Sequence, residues 1–287
     1  LVQCFAFSCT LFGNNIEQGK PAKFALLSPA QTIDTLLRLA VKGYEDEKYE
    51  ESIRLLQDAL LISEEHPQNH NYLNILINIG RAHYRMNEYE LAQDFVFKCM
   101  DKFTEETPPI TKGDAYSLLA TTYYNLGDYN LSHEYRLKSI EIKELMEDTA
   151  GIARDFYDLG SMFFYQDMTE KALEFYNKAM ALGHQIGSAR IVYNCTAALG
   201  ATFEQAGNRD TSLVLNLRSL EIADSLDYAT GQAYALHNIG SNYLEFGKYE
   251  KAIFYMQNSL QIKRELGDNW GIIGSKLGLA EVYLRTG

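Results

Sequence analysis

NIGSNYLEFGKYEKAIFYMQNSLQIKRELGD, residues 238–268, carries two apolar stripes separated by Phe246-Gly247-Lys248. Within each half the apolar residues recur three and four apart, the spacing of one face of an amphipathic helix of roughly 14 to 18 residues. A glycine at the break suits a left-handed helix terminus. The stretch therefore reads as two antiparallel helices joined by a tight turn. Its small residues Gly240, Ala252 and Ser259 stand beside the large Ile239, Tyr243 and Tyr255.

The same pattern extends in both directions with a period of 40 residues and no insertion. The small residue at the middle of the first helix is Ala40, Gly80, Ala120, Gly160, Gly200, Gly240 and Ala280. A second small column runs Ser52, Ala92, Ser132, Ala172, Ser212 and Ala252, and a third runs Ala59, Cys99, Ser139, Ala179, Ser219 and Ser259. Large residues alternate with them: Leu39, Ile79, Leu119, Leu159, Leu199, Ile239 and Leu279 precede the first column. Leu55, Phe95, Tyr135, Phe175, Leu215 and Tyr255 lie in the second helix. Two helices approach closely only where side chains are small, and large residues one turn away fill the space beside them. Ser28-Pro29 reads as an N-cap followed by proline at the first helical position, which opens the first unit. Looser segments such as HPQNH (66–70) and TPPITKG (107–113) are expected between units.

This arrangement resembles a tetratricopeptide repeat of the 40-residue kind, over about residues 30–287. The resemblance implies an all-α, right-handed α-solenoid of about 6.5 antiparallel helix pairs, with a concave groove lined by the first helices. RELGDNWGIIGSKLGLAEVYL (264–284) is similar to repeats in bacterial sensor proteins, peptide-pheromone receptors and spindle-orientation adaptors. Carried over by register, the groove positions are Asn74, Arg81, Tyr84 and Arg85 in the second repeat. They continue with Asp114, Thr121, Tyr124 and Asn125, and then with Arg154, Tyr157, Phe164 and Tyr165. Asn194, Glu204, Gln205, Tyr234, His237 and Glu245 complete the set. The mix suits a peptide: tyrosine gives rigid contact area with a polar tip, asparagine donates and accepts at once, and arginine holds carboxylates bidentately. The pattern of chaperone-tail carboxylate clamps is absent, since Ile77, Ser117 and Tyr157 occupy those slots.

Catalytic constellations are not found. There is no phosphate-loop, serine-elbow or zinc-helix pattern, and His66 and His70 flank a proline in a polar stretch without a third ligand. The net charge of -12 carries no basic stripe, which argues against nucleic acid. Of the four cysteines, Cys99 and Cys195 fall on small-residue positions and read as buried thiols; Cys4 and Cys9 lie in the leader. No cofactor and no metal are expected.

Residues 1–27 read as a leader, the remnant of a signal peptide plus linker, because LVQCFAFSCTLFG is apolar and uncharged but too short to span a bilayer. That favours an exported or periplasmic protein slightly over a cytoplasmic one. Residues 28–287 are the repeat array, and EVYLRTG matches the end of a first helix whose partner has not begun. The function expected is a non-catalytic scaffold for a protein or peptide ligand, the sensing or interaction module of a larger bacterial signalling protein. The alternative is a free-standing cytoplasmic adaptor or peptide receptor. No direct membrane insertion of the array is expected.

Overall fold

The computed structural model describes residues 27–46, 48–66 and 71–286; the leader and its Cys4 and Cys9 lie outside them, as does His70. The described residues form helices, turns and loops with no strand. The chain divides into two compact units, Leu1–Leu126 and Gly127–Gly287. The first holds α1 (Pro29–Glu45), α2 (Tyr49–Glu65), α3 (Tyr72–Arg85), α4 (Tyr89–Met100) and α5 (Pro109–Asn125). The second holds α6 (Tyr129–Leu145), α7 (Thr149–Tyr165), α8 (Thr169–Gln185), α9 (Ala189–Gln205) and α10 (Arg209–Ser225). It continues through α11 (Ala229–Glu245), α12 (Tyr249–Leu266) and α13 (Asn269–Thr286). Within each unit every helix packs on the next. Odd-numbered helices are the first helices read in the sequence.

The helix starts follow local chemistry. Ser28 caps α1 in a capping box: its hydroxyl accepts from the Gln31 amide, and Gln31 Oε1 accepts from the Ser28 amide. The segment 107–113, expected as a loop, instead supplies the first turn of α5, because Pro109 sits at the helix start where no amide hydrogen is needed. The helix ends are more regular than the sequence suggested. From Gly127 to Gly267 every twentieth residue is left-handed: Gly127, Glu147, Asp167, Gly187, Gly207, Asp227, Gly247 and Gly267. The amide after each, from Asp148 to Asp268, bonds a carbonyl five residues back, as between Asp148 and Lys143 (3.0 Å). Linkers between repeats in the second unit are thus as tight as those within them. The carboxylate-bearing Glu147, Asp167 and Asp227 hid this 20-residue beat by occupying a backbone conformation that normally selects glycine.

The small-residue column is where each pair closes. A Cβ added at Gly160 would lie 2.6 Å from the Tyr176 ring, and one at Gly240 would lie 2.6 Å from Met256 Cγ. The opposing residues Leu56, Val96, Arg136, Tyr176, Asn216 and Met256 recur every 40 positions and are all buried. They lie one residue beyond the column singled out in the sequence. The earlier column sits shallower and stacks instead, as in the pairs His83–Phe95, Phe163–Phe175 and Tyr243–Tyr255, with ring centroids 5.3 to 5.4 Å apart. Leu39 departs from its column: it is 45% exposed where Ile79, Leu119, Leu159, Leu199, Ile239 and Leu279 are buried. In later pairs this side of the first helix meets the preceding pair, and no preceding pair is among the described residues.

Polar residues in the deep column require partners. Arg136 is met by Asp155 and Asp158 of α7, each at 3.0 Å. Asp155 also takes Lys143 at 2.7 Å and the Ser139 hydroxyl at 2.8 Å. Burial raises the Asp158 carboxyl above its ordinary range, with Arg136 opposing the shift. At the equivalent place two repeats on, Asn216 donates to Asn242 (2.9 Å), and Asn242 donates to Ser212 (3.1 Å).

Two substitutions test this packing. Gly160→Leu drives a branched side chain into the Tyr176 ring and costs about 1–3 kcal/mol or more, read as a lowered midpoint in thermal or urea unfolding. Asp155→Ala strips two buried cations of their shared carboxylate and costs about 3–5 kcal/mol, with Asp155→Asn recovering only part of it.

Candidate functional site

In each unit the first helices approach one another more closely than the second helices do: α1, α3 and α5 in the first unit, and α7, α9, α11 and α13 in the second. The first helices therefore line the inner side of each stack. The side chains expected in the groove all belong to these first helices, and many are already engaged with the neighbouring first helix.

In the first unit, Tyr44 donates to the Asn78 carbonyl (2.6 Å) and Thr111 to Asn74 Oδ1 (3.3 Å). Arg81 pairs with Asp114 at 2.9 Å, and Asn125 donates to the Tyr84 hydroxyl at 3.2 Å. Asn74, Arg81, Tyr84 and Asn125 thus tie α3 to α5 across a sequence separation close to one repeat. Tyr84 also packs on Tyr89, the start of its own second helix. Tyr124 is half-buried on α5, and Thr121 donates to the Ser117 carbonyl. Arg85 is exposed and makes no ion pair among the described residues.

The second unit has similar ties and more open chemistry. Gln205 donates to Asp167, Ser241 donates to Glu204 (3.1 Å), and Glu245 holds Arg209 (2.7 Å) and Arg285 (3.1 Å). Burial lifts the Glu204 carboxyl above its usual range. Tyr157 packs on Tyr176 with ring centroids 5.5 Å apart, and burial raises its hydroxyl. Tyr165 stands exposed beside Phe164. Arg154 is exposed, Asn194 is half-buried, and neither has a side-chain hydrogen bond or ion pair among the described residues. Arg154, Asn194 and Tyr234 occupy one column, 40 residues apart, on successive first helices.

The floor near α11 holds a residue that a reading confined to first helices missed. Lys263 comes from α12, is 2% exposed, and places its ammonium 3.1 Å from Ser275 Oγ and 4.8 Å from the Tyr234 ring centre. Its burial lowers the amine below the ordinary lysine range, and Asp268 opposes that shift. The Tyr234 hydroxyl donates to Asp268 at 3.3 Å. His237, on the same face of α11, is pushed down to about 4 by burial and by the nearby Lys263 charge, and its Nδ1 is buried without a partner. The signal was available in the sequence: Lys263 lies 120 residues, three repeats, after Lys143.

Cys99 and Cys195 are buried, as their columns required, and burial pushes both thiols up to about 12. Neither forms a reactive thiolate at neutral pH. Among the described residues no cluster of His, Cys, Asp and Glu could hold a metal, and no helix is long and apolar enough to cross a membrane.

Comparison with solved structures agrees with the architecture. The tetratricopeptide-repeat sensor protein of Pyrococcus horikoshii, a signal-transduction ATPase with numerous domains, superposes with a TM-score of 0.75 at 15% identity. The match covers 89% of this chain and 39% of that one. The apo quorum sensor NprR from B. thuringiensis gives 0.69 at 14% identity, covering 90% of this chain and 72% of its own. A Rap protein complexed with competence and sporulation factor gives 0.63 at 15% identity, covering 90% and 72%. The tetratricopeptide repeat family model matches residues 31–102, 112–183 and 192–265, and the chain belongs to the tetratricopeptide repeat family.

Proposed function

We propose that the chain is a non-catalytic scaffold that binds a polypeptide segment along the inner face of its first helices, with Gly127–Gly287 making the principal contacts. The observation that carries this reading is the distribution of unspent hydrogen-bonding groups. In the first unit Asn74, Arg81, Tyr84 and Asn125 are committed to neighbouring helices, and Arg85 is the exposed groove arginine without an ion pair among the described residues. In the second, Arg154 and Asn194 offer donors and acceptors with no protein partner among the described residues, beside the aromatic Tyr157, Tyr165 and Tyr234. A peptide backbone needs that combination: an amide that reads both N–H and C=O, a guanidinium for a carbonyl or carboxylate, and aromatic surface for side chains. Cross-linking of the other groove residues holds the face in one shape, which reduces the ordering cost of binding.

A place in signal transduction is the further part of this reading. It is supported by the quorum-sensor, Rap and signalling-ATPase proteins whose folds are similar, and the sensing unit of a larger signalling protein is the form we favour.

Selection of peptides from a random library on the purified chain, followed by calorimetry, tests the proposal. Arg154→Ala and Asn194→Ala remove groups that make no side-chain hydrogen bond or ion pair among the described residues, although the Arg154 charge acts on Asp158. Each leaves the thermal midpoint nearly unchanged and weakens a selected peptide by about 1–3 kcal/mol, roughly five- to 150-fold. Undiminished affinity in both variants places the ligand elsewhere on the scaffold.

A further inference from the structure

Two seams between repeats are built to one plan, and only one of them is complete. Where α6 meets α7, Ser139, Lys143 and Asp155 form a buried triad: the ammonium sits 2.7 Å from Asp155 Oδ2, and the Ser139 hydroxyl lies 2.8 Å from the same oxygen. Where α12 meets α13, the positions 120 residues on are Ser259, Lys263 and Ser275. The surroundings repeat as well. Asp148 and Asp268 both accept from the glycine amide three residues ahead at 2.8 Å. In both seams a Cβ on that glycine, Gly151 or Gly271, would lie 2.9 Å from the lysine Cδ and closer still to the capping aspartate, so the glycine leaves room for both side chains. The difference is the anion. Ser275 stands where Asp155 stands, and Lys263, less exposed than Lys143, has one hydroxyl at 3.1 Å, the face of Tyr234 and the charge of Asp268 beyond ion-pair distance.

A buried ammonium with no paired carboxylate is costly, and the place where compensation is missing opens toward the inner face. Tyr234, 46% exposed, covers the ammonium from that side and is held by one long hydrogen bond to Asp268. On α13 the column that carries Arg154, Asn194 and Tyr234 holds Gly274, and a Cβ there would meet nothing within 4 Å. The buried, unpartnered Nδ1 of His237 lies on the α11 wall of the same seam.

We propose that the seam between α11 and α13 binds a carboxylate of the ligand, which takes the place at Lys263 that Asp155 takes at Lys143, with His237 Nδ1–H as a second donor. Turning the Tyr234 ring aside exposes the ammonium. This rests on the reading of the inner face as the ligand surface and names one chemical feature of the ligand. The carboxylate belongs either to a peptide C-terminus or to an acidic side chain.

Lysine Cε resonances of the 13C-labelled chain, followed by NMR, test the site, with sodium acetate titrated against sodium chloride at constant ionic strength. The Lys263 signal is assigned by its loss in Lys263→Met or, where that variant does not fold, by its displacement in Ser275→Asp. In the wild type, acetate shifts the signal and raises its titration midpoint. In Ser275→Asp, which rebuilds the complete triad, the midpoint starts high and the response to acetate is lost. A Lys263 signal that ignores acetate, or one that responds equally in Ser275→Asp, overturns the proposal. N-acetylglycine and the α-amide of N-acetylaspartate then separate chain terminus from side chain by the larger response, and an equal response to carboxylate-free N-acetylglycinamide overturns both. Peptide binding that depends on Arg154 without any Lys263 response ends this inference alone. A Lys263 response in a chain that selects no peptide ends the peptide reading instead.

Discussion

The closest approach between the two helices of a pair is the constraint on which the rest depends. At Gly80, Gly160, Gly200 and Gly240 a single added carbon would lie within 2.6 to 3.3 Å of the facing side chain. That proximity buries the residue 16 positions later, whatever its chemistry, so the deep column accepts leucine, valine, methionine and tyrosine and also arginine and asparagine. Shape is enforced at the small residue, and polarity is then resolved locally. Arg136 is tolerated because Asp155 and Asp158 arrive from the next helix. The Asn216 amide nitrogen is taken up by Asn242 and Ser212, while its Oδ1 is buried without a partner among the described residues. Neighbouring repeats thus become specific to one another through the polar residues each must satisfy, although their apolar packing is nearly interchangeable.

The fold was legible because its information is periodic. A small residue every 40 positions has one structural meaning, and seven occurrences in register leave little room for another. What stayed hidden was aperiodic. The 20-residue turn was obscured where Glu147, Asp167 and Asp227 adopt a left-handed backbone that glycine adopts at Gly187, Gly207 and Gly247. The deep column was missed because its members share only burial. Leu, Val, Arg, Tyr, Asn and Met do not form a pattern until the backbone shows that they point the same way.

The groove residues were legible by position and not by engagement. Register assigns Arg81, Arg154 and Asn194 to first helices, and they lie on α3, α7 and α9. Register does not say that Arg81 meets Asp114 of the next first helix, while Arg154 makes no ion pair among the described residues. That difference depends on which residue the next repeat supplies at one position, and it decides whether a side chain stiffens the scaffold or is free for a ligand. Lys263 was passed over for a different reason, since it comes from a second helix and meets Tyr234 and Ser275 of two first helices.

Internal repetition supplies a control that most single structures lack. When two seams share a lysine, a serine, a capping aspartate and a glycine slot, the element they do not share is isolated as if by substitution. At the α6–α7 seam the unshared component is Asp155, and the lysine is neutralised from within. At the α12–α13 seam it is Ser275, whose neutral hydroxyl cannot stand in for a carboxylate, and Lys263 makes no ion pair among the described residues, with Asp268 the charge that acts on it. Evolution of a binding site inside a repeat array needs no new scaffold under this logic. Removing one internal partner from a seam already shaped to hold a charge pair leaves a pocket preorganised for the missing half, and any ligand that supplies it gains the desolvation already spent on the lysine.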